Sequence, residues 1–136
     1  MALAFDVVSI RNTMLDSITT RAGASALLRF YDSTGAGRPA TGAAVTTQVK
    51  LAELVCNATF APASSGGILT LNAIAAANAL ATGTCTWFRI VKADGTTFVM
   101  DGNVGTSGSD LNMNATAFTV GVQISVTTFT ITEGNP

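Results

Sequence analysis

The closest approach to a chemical motif in this chain is the stretch GAGRPA at residues 35–40, which follows a strand-like run. Its G-x-G-x-x-A spacing matches a loop that cradles a dinucleotide phosphate, provided that a helix opens directly behind it and aims its free N–H groups at the phosphate. Gly42 and the β-branched run at 45–47 predict that no helix continues beyond Pro39. We therefore interpret residues 35–42 as a solvent loop between two strands.

Side chains for acid–base or nucleophilic chemistry are scarce. The chain has no histidine, which excludes histidine-containing triads and zinc sites. Cys56 and Cys85 lack C-x-x-C spacing, and we expect two buried thiols on strands. Glu53 is the one carboxylate inside a strand-like run, and we interpret it as an outward-facing residue opposite Lys50 or Arg89. The sequence predicts no enzyme, no cofactor and no metal site.

A second stretch, DGNVGTSGSD at residues 101–110, alternates oxygen-bearing side chains in a way that suggests a calcium loop. An EF-hand loop needs glycine at its sixth position and glutamate at its twelfth, where this chain has Thr106 and Asn112. We interpret the stretch as a flexible connection between strands.

Composition favours burial of this protein against other proteins. The 136 residues suffice for one domain, 1–136, with 48% hydrophobic but only 11% charged residues.

The net charge is −1 and the basic residues are dispersed, so we expect no nucleic-acid site. Asp6 and Arg11 interrupt the apolar N-terminus, so we expect neither a signal peptide nor a membrane span.

The first element is predicted to be an amphipathic helix over residues 7–21, within an N-terminal segment 1–22. Apolar residues recur at three- and four-residue steps, at Val7, Ile10, Met14 and Ile18. Asp6 is the expected N-cap and Gly23 the expected stop. The opposite side, with Arg11, Asn12 and Asp16, is expected to face solvent.

Residues 23–136 read as a mainly β, antiparallel sandwich, because short β-type runs alternate with turn residues. The predicted runs are 26–32, 46–56, 67–72, 84–92, 97–101, 110–114 and 117–132. Asp94-Gly95 predicts a hairpin between the fourth and fifth runs, and the fourth is expected to be a central strand covered on both faces. A phase shift at Thr127-Thr128 predicts a bulge or a change of sheet, and residues 73–83 are expected as a short helix or a loop.

Four segments together, "LRFYDSTGAGRPA", "LAELVCNATFAPASSGGILTLNAI", "ATGTCTWFRIVKADGTTFVMDGNVG" and "VGVQISVTTFTITEGNP", resemble a group of small structural proteins of tailed bacteriophages. Within that group the chain looks most like the capsid cement, or decoration, type. The resemblance implies a jelly-roll-like sandwich and a virion protein that is made in the bacterial cytoplasm. It also implies binding, as a homodimer or other homo-oligomer, to the major capsid protein on the outer face of the head.

Two alternatives are a tail module of tube, fibre or baseplate type and a carbohydrate- or ligand-binding β-sandwich. In the cement hypothesis, contacts are expected on one helix face, on the first strand and on the exposed loop. The candidate residues are Arg11, Met14, Leu15, Ile18, Tyr31, Gly35, Gly37, Arg38 and Pro39.

Overall fold

The computed structural model describes residues 4–33 and 37–132. Within these ranges one helix, α1, precedes eleven short strands. The strands are β1 (Leu27–Tyr31), β2 (Lys50–Val55), β3 (Ile68–Thr70), β4 (Ala77–Asn78), β5 (Gly83–Thr84), β6 (Trp87–Val91), β7 (Phe98–Gly105), β8 (Leu111–Asn112), β9 (Ala117–Phe118), β10 (Gln123–Ile124) and β11 (Thr130–Thr132). The fold is mainly β with an N-terminal helix, as the sequence predicts.

Helix α1 starts with a π-helical turn, Val7–Arg11, and continues as an α-helix, Asn12–Ala22. The Asp6 carboxylate caps it by accepting the Ser9 backbone N–H at 2.7 Å. Gly23, with a φ of 67°, ends it in a conformation that glycine adopts at little cost. The predicted helix, cap and stop are confirmed.

The main sheet has five strands in the order β2-β1-β6-β7-β8. Its pairs are antiparallel except β7 with β8, which run parallel over two residues. The predicted hairpin between β6 and β7 is confirmed, because Lys92 N–H donates to Thr97 C=O at 2.9 Å and Gly95 takes a φ of 78°. Strand β6 is buried along its whole length, as expected of a central strand covered on both faces.

Three two-stranded sheets complete the fold: β10 with β4, β11 with β3, and β5 with β9. The predicted single strand over 117–132 is wrong, because β9, β10 and β11 each pair with a different part of the chain. A change of sheet does occur at the predicted phase shift, between β10 and β11. Of the two alternatives for 73–83, the helix is wrong and the loop is correct apart from β4 and the start of β5, since backbone groups there bond to distant residues, such as Ala79 N–H to Val122 C=O at 2.8 Å.

The core lies between one face of the main sheet and the small sheets. Phe30 packs edge-to-face on Phe118 with ring centroids 5.6 Å apart, and Phe88 packs likewise on Phe129 at 5.2 Å. All four rings are buried. The small sheets therefore act as a cover over the five-stranded sheet.

Candidate functional site

A loop crosses the second face of the main sheet, opposite the core. It connects the end of β1 to the start of β2. Its described parts are residues 32–33 and 37–49, and the second part contains residues 37–42 of the predicted contact loop. Most of residues 40–47 are exposed, and their side chains are Ala, Thr, Gly and Val. We call residues 37–48 the strap, because polar groups of the sheet hold it in place.

A row of four charged residues runs across the face under the strap. Cross-strand register places Glu53 of β2, Arg29 of β1, Arg89 of β6 and Asp101 of β7 side by side. Arg29 Nε bonds Glu53 at 2.7 Å, and Lys50 reaches the same carboxylate at 3.3 Å. The prediction that Glu53 faces Lys50 is confirmed, whereas its pairing with Arg89 is wrong because Arg29 lies between the two.

The inner half of this row is a buried ion pair. Arg89 donates from Nε and Nη2 to the two carboxylate oxygens of Asp101, at 2.7 and 2.9 Å. Their side chains are only 9% and 2% exposed. The hydrogen bonds to Asp101 raise the pKa of Arg89 and outweigh its burial, so the guanidinium keeps its charge.

This ion pair anchors the strap. Gly42 N–H donates to Asp101 Oδ2 at 3.2 Å, and Arg89 Nη1 donates to Ala43 C=O at 2.8 Å. The guanidinium also lies 5.5 Å from the Trp87 ring centroid and 5.3 Å from that of Phe98, within cation–π range. The strap is thus fixed at its middle by charge-assisted hydrogen bonds.

Tyr31 and Trp87 lie next to the anchor and stack on each other, with centroids 4.4 Å apart. Trp87 is 1% exposed and donates its indole N–H to Asp32 C=O at 2.9 Å. Tyr31 is 5% exposed, and burial raises the pKa of its hydroxyl. The expectation that Tyr31 is an exposed contact is wrong, because the stack fills this face.

The strap residues predicted as contacts occupy different positions. Arg38 is exposed and Pro39 is half-buried. Gly37 has a φ of 68°, and its carbonyl accepts a hydrogen bond from the Gln48 side-chain amide. Gly35 lies outside the described residues. Arg38 and Pro39 are therefore the strap candidates with side chains accessible to a partner.

Helix α1 is oriented differently from the prediction. Its polar side faces the chain itself, where Asp16 Oδ1 accepts Ser64 N–H at 2.8 Å and Asn12 Oδ1 accepts Gly67 N–H at 3.0 Å. The Arg11 guanidinium also lies against Gly67, in the space that a Cβ at this position would occupy. The 64–67 loop therefore covers a face that was expected to be solvated.

The apolar side of α1 is divided between core and surface. Leu15 is buried, so its expected exposure is wrong, and Ile18 is half-buried. Val8, Ile10 and Met14 are exposed, Val8 by 72%. We call Ile10 and Met14 the helix patch, because residues four apart share a helix face, whereas Val8 is two residues from Ile10 and lies on another side.

A second apolar surface, the tip patch, was missed by the sequence analysis. It consists of Leu80, Val120 and Val122, each more than half exposed. Backbone bonds from Ala79 N–H to Val122 C=O and from Gly121 N–H to Ala79 C=O hold its two halves together. Alternation along residues 117–126 of the sequence predicts that Val120 and Val122 share a strand face with Phe118, which is buried, so no sequence signal indicates their exposure.

The reactive groups of the described residues are engaged or shielded. Cys56 and Cys85 are free buried thiols, as predicted, and burial raises their pKa values to about 11 and about 12. Burial raises the pKa of Glu53, but hydrogen bonds from Arg29 and Lys50 give a net lowering. Residues 4–33 and 37–132 contain no group of three metal-ligating side chains. None of the helices described there has the length and apolarity to cross a bilayer.

Comparison of the chain with known protein families, with curated proteins and with solved structures gives no match. Functional inference therefore starts from the strap and the two apolar patches.

Proposed function

We propose that this protein is a bacteriophage capsid cement protein that binds the outer surface of the head and bridges neighbouring major capsid subunits. The observation that carries the proposal is the presence of two separate apolar patches on a surface with few charges. A bridging protein needs at least two contact surfaces, and the fully buried centre of a protein–protein contact is more apolar than the rest of the surface.

The positions of the patches suit bridging. Helix α1 packs against β3 and β7, and its Arg21 Nε donates to Phe98 C=O of β7 at 3.1 Å, whereas β4, which precedes Leu80 of the tip patch, packs against β2. Strands β2 and β7 are three strand spacings apart in the main sheet, roughly 14 Å. The helix patch and the tip patch can therefore contact different neighbours at the same time.

A cement protein needs no catalytic activity, and several weak contacts are sufficient for its role. A protein that binds only the assembled shell stabilises it by mass action, and repeated contacts multiply the effect. The jelly-roll-like sandwich implied by the sequence resemblance is part of the proposal, with the small sheets as its second layer. The edge-to-face pairs of Phe30 with Phe118 and of Phe88 with Phe129 support two packed layers.

The first test is the copy number of this protein in purified virions, before and after tails are removed from heads. We expect copies comparable to the major capsid protein, all retained on tail-free heads. A few copies that leave with the tails would replace the proposal with a tail module. Absence from particles would favour the ligand-binding alternative. Sedimentation of the purified protein tests the proposed homo-oligomer.

The second test places a charge in each patch. We expect Met14→Glu and Val122→Glu each to reduce occupancy of protein-depleted heads at least tenfold, because a buried unpaired carboxylate costs several kcal/mol. Both residues are about half exposed, so the fold should be unaffected. Ala24→Glu and Thr127→Glu, at exposed positions outside the patches, are the matched controls. Equal occupancy for all four variants would contradict bridging through these patches.

A further inference from the structure

None of the described residues pairs with β11 on the side that does not face β3. Leu71 N–H donates to Phe129 C=O at 2.9 Å, and Thr130 is paired with Thr70 across the two strands. In an antiparallel pair, residues alternate between directing both main-chain groups at the partner strand and directing both away. The N–H and C=O groups of Thr130 and Thr132 therefore point away from β3.

Strand β7 has a similar open edge. Val104 N–H donates to Thr86 C=O at 3.0 Å, so these two residues form a hydrogen-bonded pair. Hydrogen-bonded pairs recur at every second residue, and the next one is Phe88 with Gly102. The main-chain groups of Asp101, which lies between such pairs, therefore point away from β6. Strand β8 covers β7 only from Val104 onward. Among the described residues, none bonds to the outward main-chain groups of Asp101, Thr130 or Thr132.

These two open edges border the same cleft. It has a volume of about 370 Å³ and lies between Met100 and Asp101 of β7 on one side and Thr130–Thr132 of β11 on the other. Met100 and Ile131, which are half-buried, contribute apolar surface to its lining, and Asp110 adds a carboxylate. A strand occupies ~160 Å³ per residue, from its rise and its spacings between strands and sheets. The cleft thus accommodates roughly two to three residues of one strand.

Edge strands are usually protected against pairing by a charged side chain, a proline or a bulge. The sequence TTFTIT at residues 127–132 contains neither a charge nor a proline, and the pairing of β11 with β3 is regular. This edge is therefore competent to pair with another strand.

We propose that the cleft between β7 and β11 binds an extended segment of a different protein chain by strand addition. The outward groups of Thr130, Thr132 and Asp101 supply main-chain hydrogen bonds, while Met100 and Ile131 contact apolar side chains of the segment. Each strand described in this chain is already paired, so a second copy that inserted one of its strands would bring the paired strand into the cleft as well. A single free segment fits the volume better. The carboxylate of Asp110 disfavours acidic residues in it.

The test uses a displayed library of random nonapeptides, selected on the full-length protein. The variant Thr130→Pro removes one outward N–H at the cleft and leaves the bonds to β3 intact. The matched control, Thr70→Pro, removes an N–H that points away from β11 and from the cleft. Synthetic copies of the selected peptides are then titrated into all three proteins.

We expect peptides of alternating apolar pattern with few acidic residues. They should bind the Thr70→Pro control like the unmodified chain and Thr130→Pro at least tenfold more weakly. Amide exchange measured on the unmodified chain, which does not depend on either variant folding, should slow at Thr130 and Thr132 when peptide is added. Failure to select any peptide, equal binding to Thr130→Pro, or unchanged amide exchange would overturn the proposal. Self-association that Thr130→Pro abolishes would overturn it in favour of a second copy. The test uses no virion component, so its outcome is independent of the capsid proposal.

Discussion

The ion pair between Arg89 and Asp101 is the feature of this structure whose removal has the most distinct expected effect. Replacing Asp101 with leucine leaves the Arg89 guanidinium, 9% exposed, without its carboxylate and Gly42 N–H without its acceptor. Removing one partner of a buried pair costs about 3–5 kcal/mol. For a chain of 136 residues this corresponds to a fall in Tm of roughly 10–17 °C.

The loss should also release the strap locally. Trp87 is the only tryptophan in the chain and lies beside the anchor, 5.5 Å from the Arg89 guanidinium. Its fluorescence therefore reports both global unfolding in denaturant and access of acrylamide to the native protein. We expect Asp101→Leu to increase quenching of Trp87 at temperatures well below Tm, because the strap no longer covers this face.

Two further variants distinguish the stability loss caused by an unpaired buried charge from the loss that any substitution on this face would cause. The double variant Arg89→Met with Asp101→Leu removes both charges, and we expect it to recover at least half of the lost stability. Glu53→Gln disrupts the partly exposed pair with Arg29 on the same face and should cost about 1 kcal/mol or less. If Asp101→Leu costs no more than Glu53→Gln, or if the double variant is no more stable than Asp101→Leu, the reasoning about a buried anchor is refuted.

Two other expectations concern groups with shifted pKa values. Hydrogen bonds from Thr97 and Thr96 lower the pKa of Asp94, so its contribution is complete above the unfolded value near ~4 and is lost as the pH falls through the lower folded pKa. The Tm difference between Asp94→Ala and the unmodified chain should shrink between pH 6 and pH 2; a constant difference would contradict this. Burial raises the pKa values of Cys56 and Cys85 to about 11 and about 12, so both thiols should react slowly with a disulfide reagent at pH 8 until the chain is denatured. Rapid reaction of the native protein would argue against their burial.

Local features of the fold were predictable because local chemistry specifies them. The Asp94-Gly95 turn needs a positive φ at its glycine, and flanking apolar runs supply the two strands. The Asp6 cap and the Gly23 stop likewise act within one turn of the helix they delimit. The two cysteines were correctly expected as buried thiols, since residue type and strand context suffice for that prediction.

The candidate site was only partly predictable, because its geometry depends on distant partners. The sequence indicated an exposed loop after β1, but not that Arg89 and Asp101 hold it. Alternation along 117–132 was correct for Phe118 and Ile124, which are buried, and wrong for Val120 and Val122. The last two lie where the chain passes from one two-stranded sheet to another, and the face of a residue is then no longer set by counting along the strand.

The sequence by itself determined the fold class, one helix followed by β-structure, because hydrophobic periodicity and turn residues act over a few positions. It also determined that histidine chemistry is absent. Tertiary structure decided which groups meet. It turned the polar side of α1 onto the 64–67 loop and left Met14 exposed, buried Tyr31 against Trp87, and aligned four charges across the sheet. Strand register sets these contacts, and register arises from pairing between residues far apart in the chain.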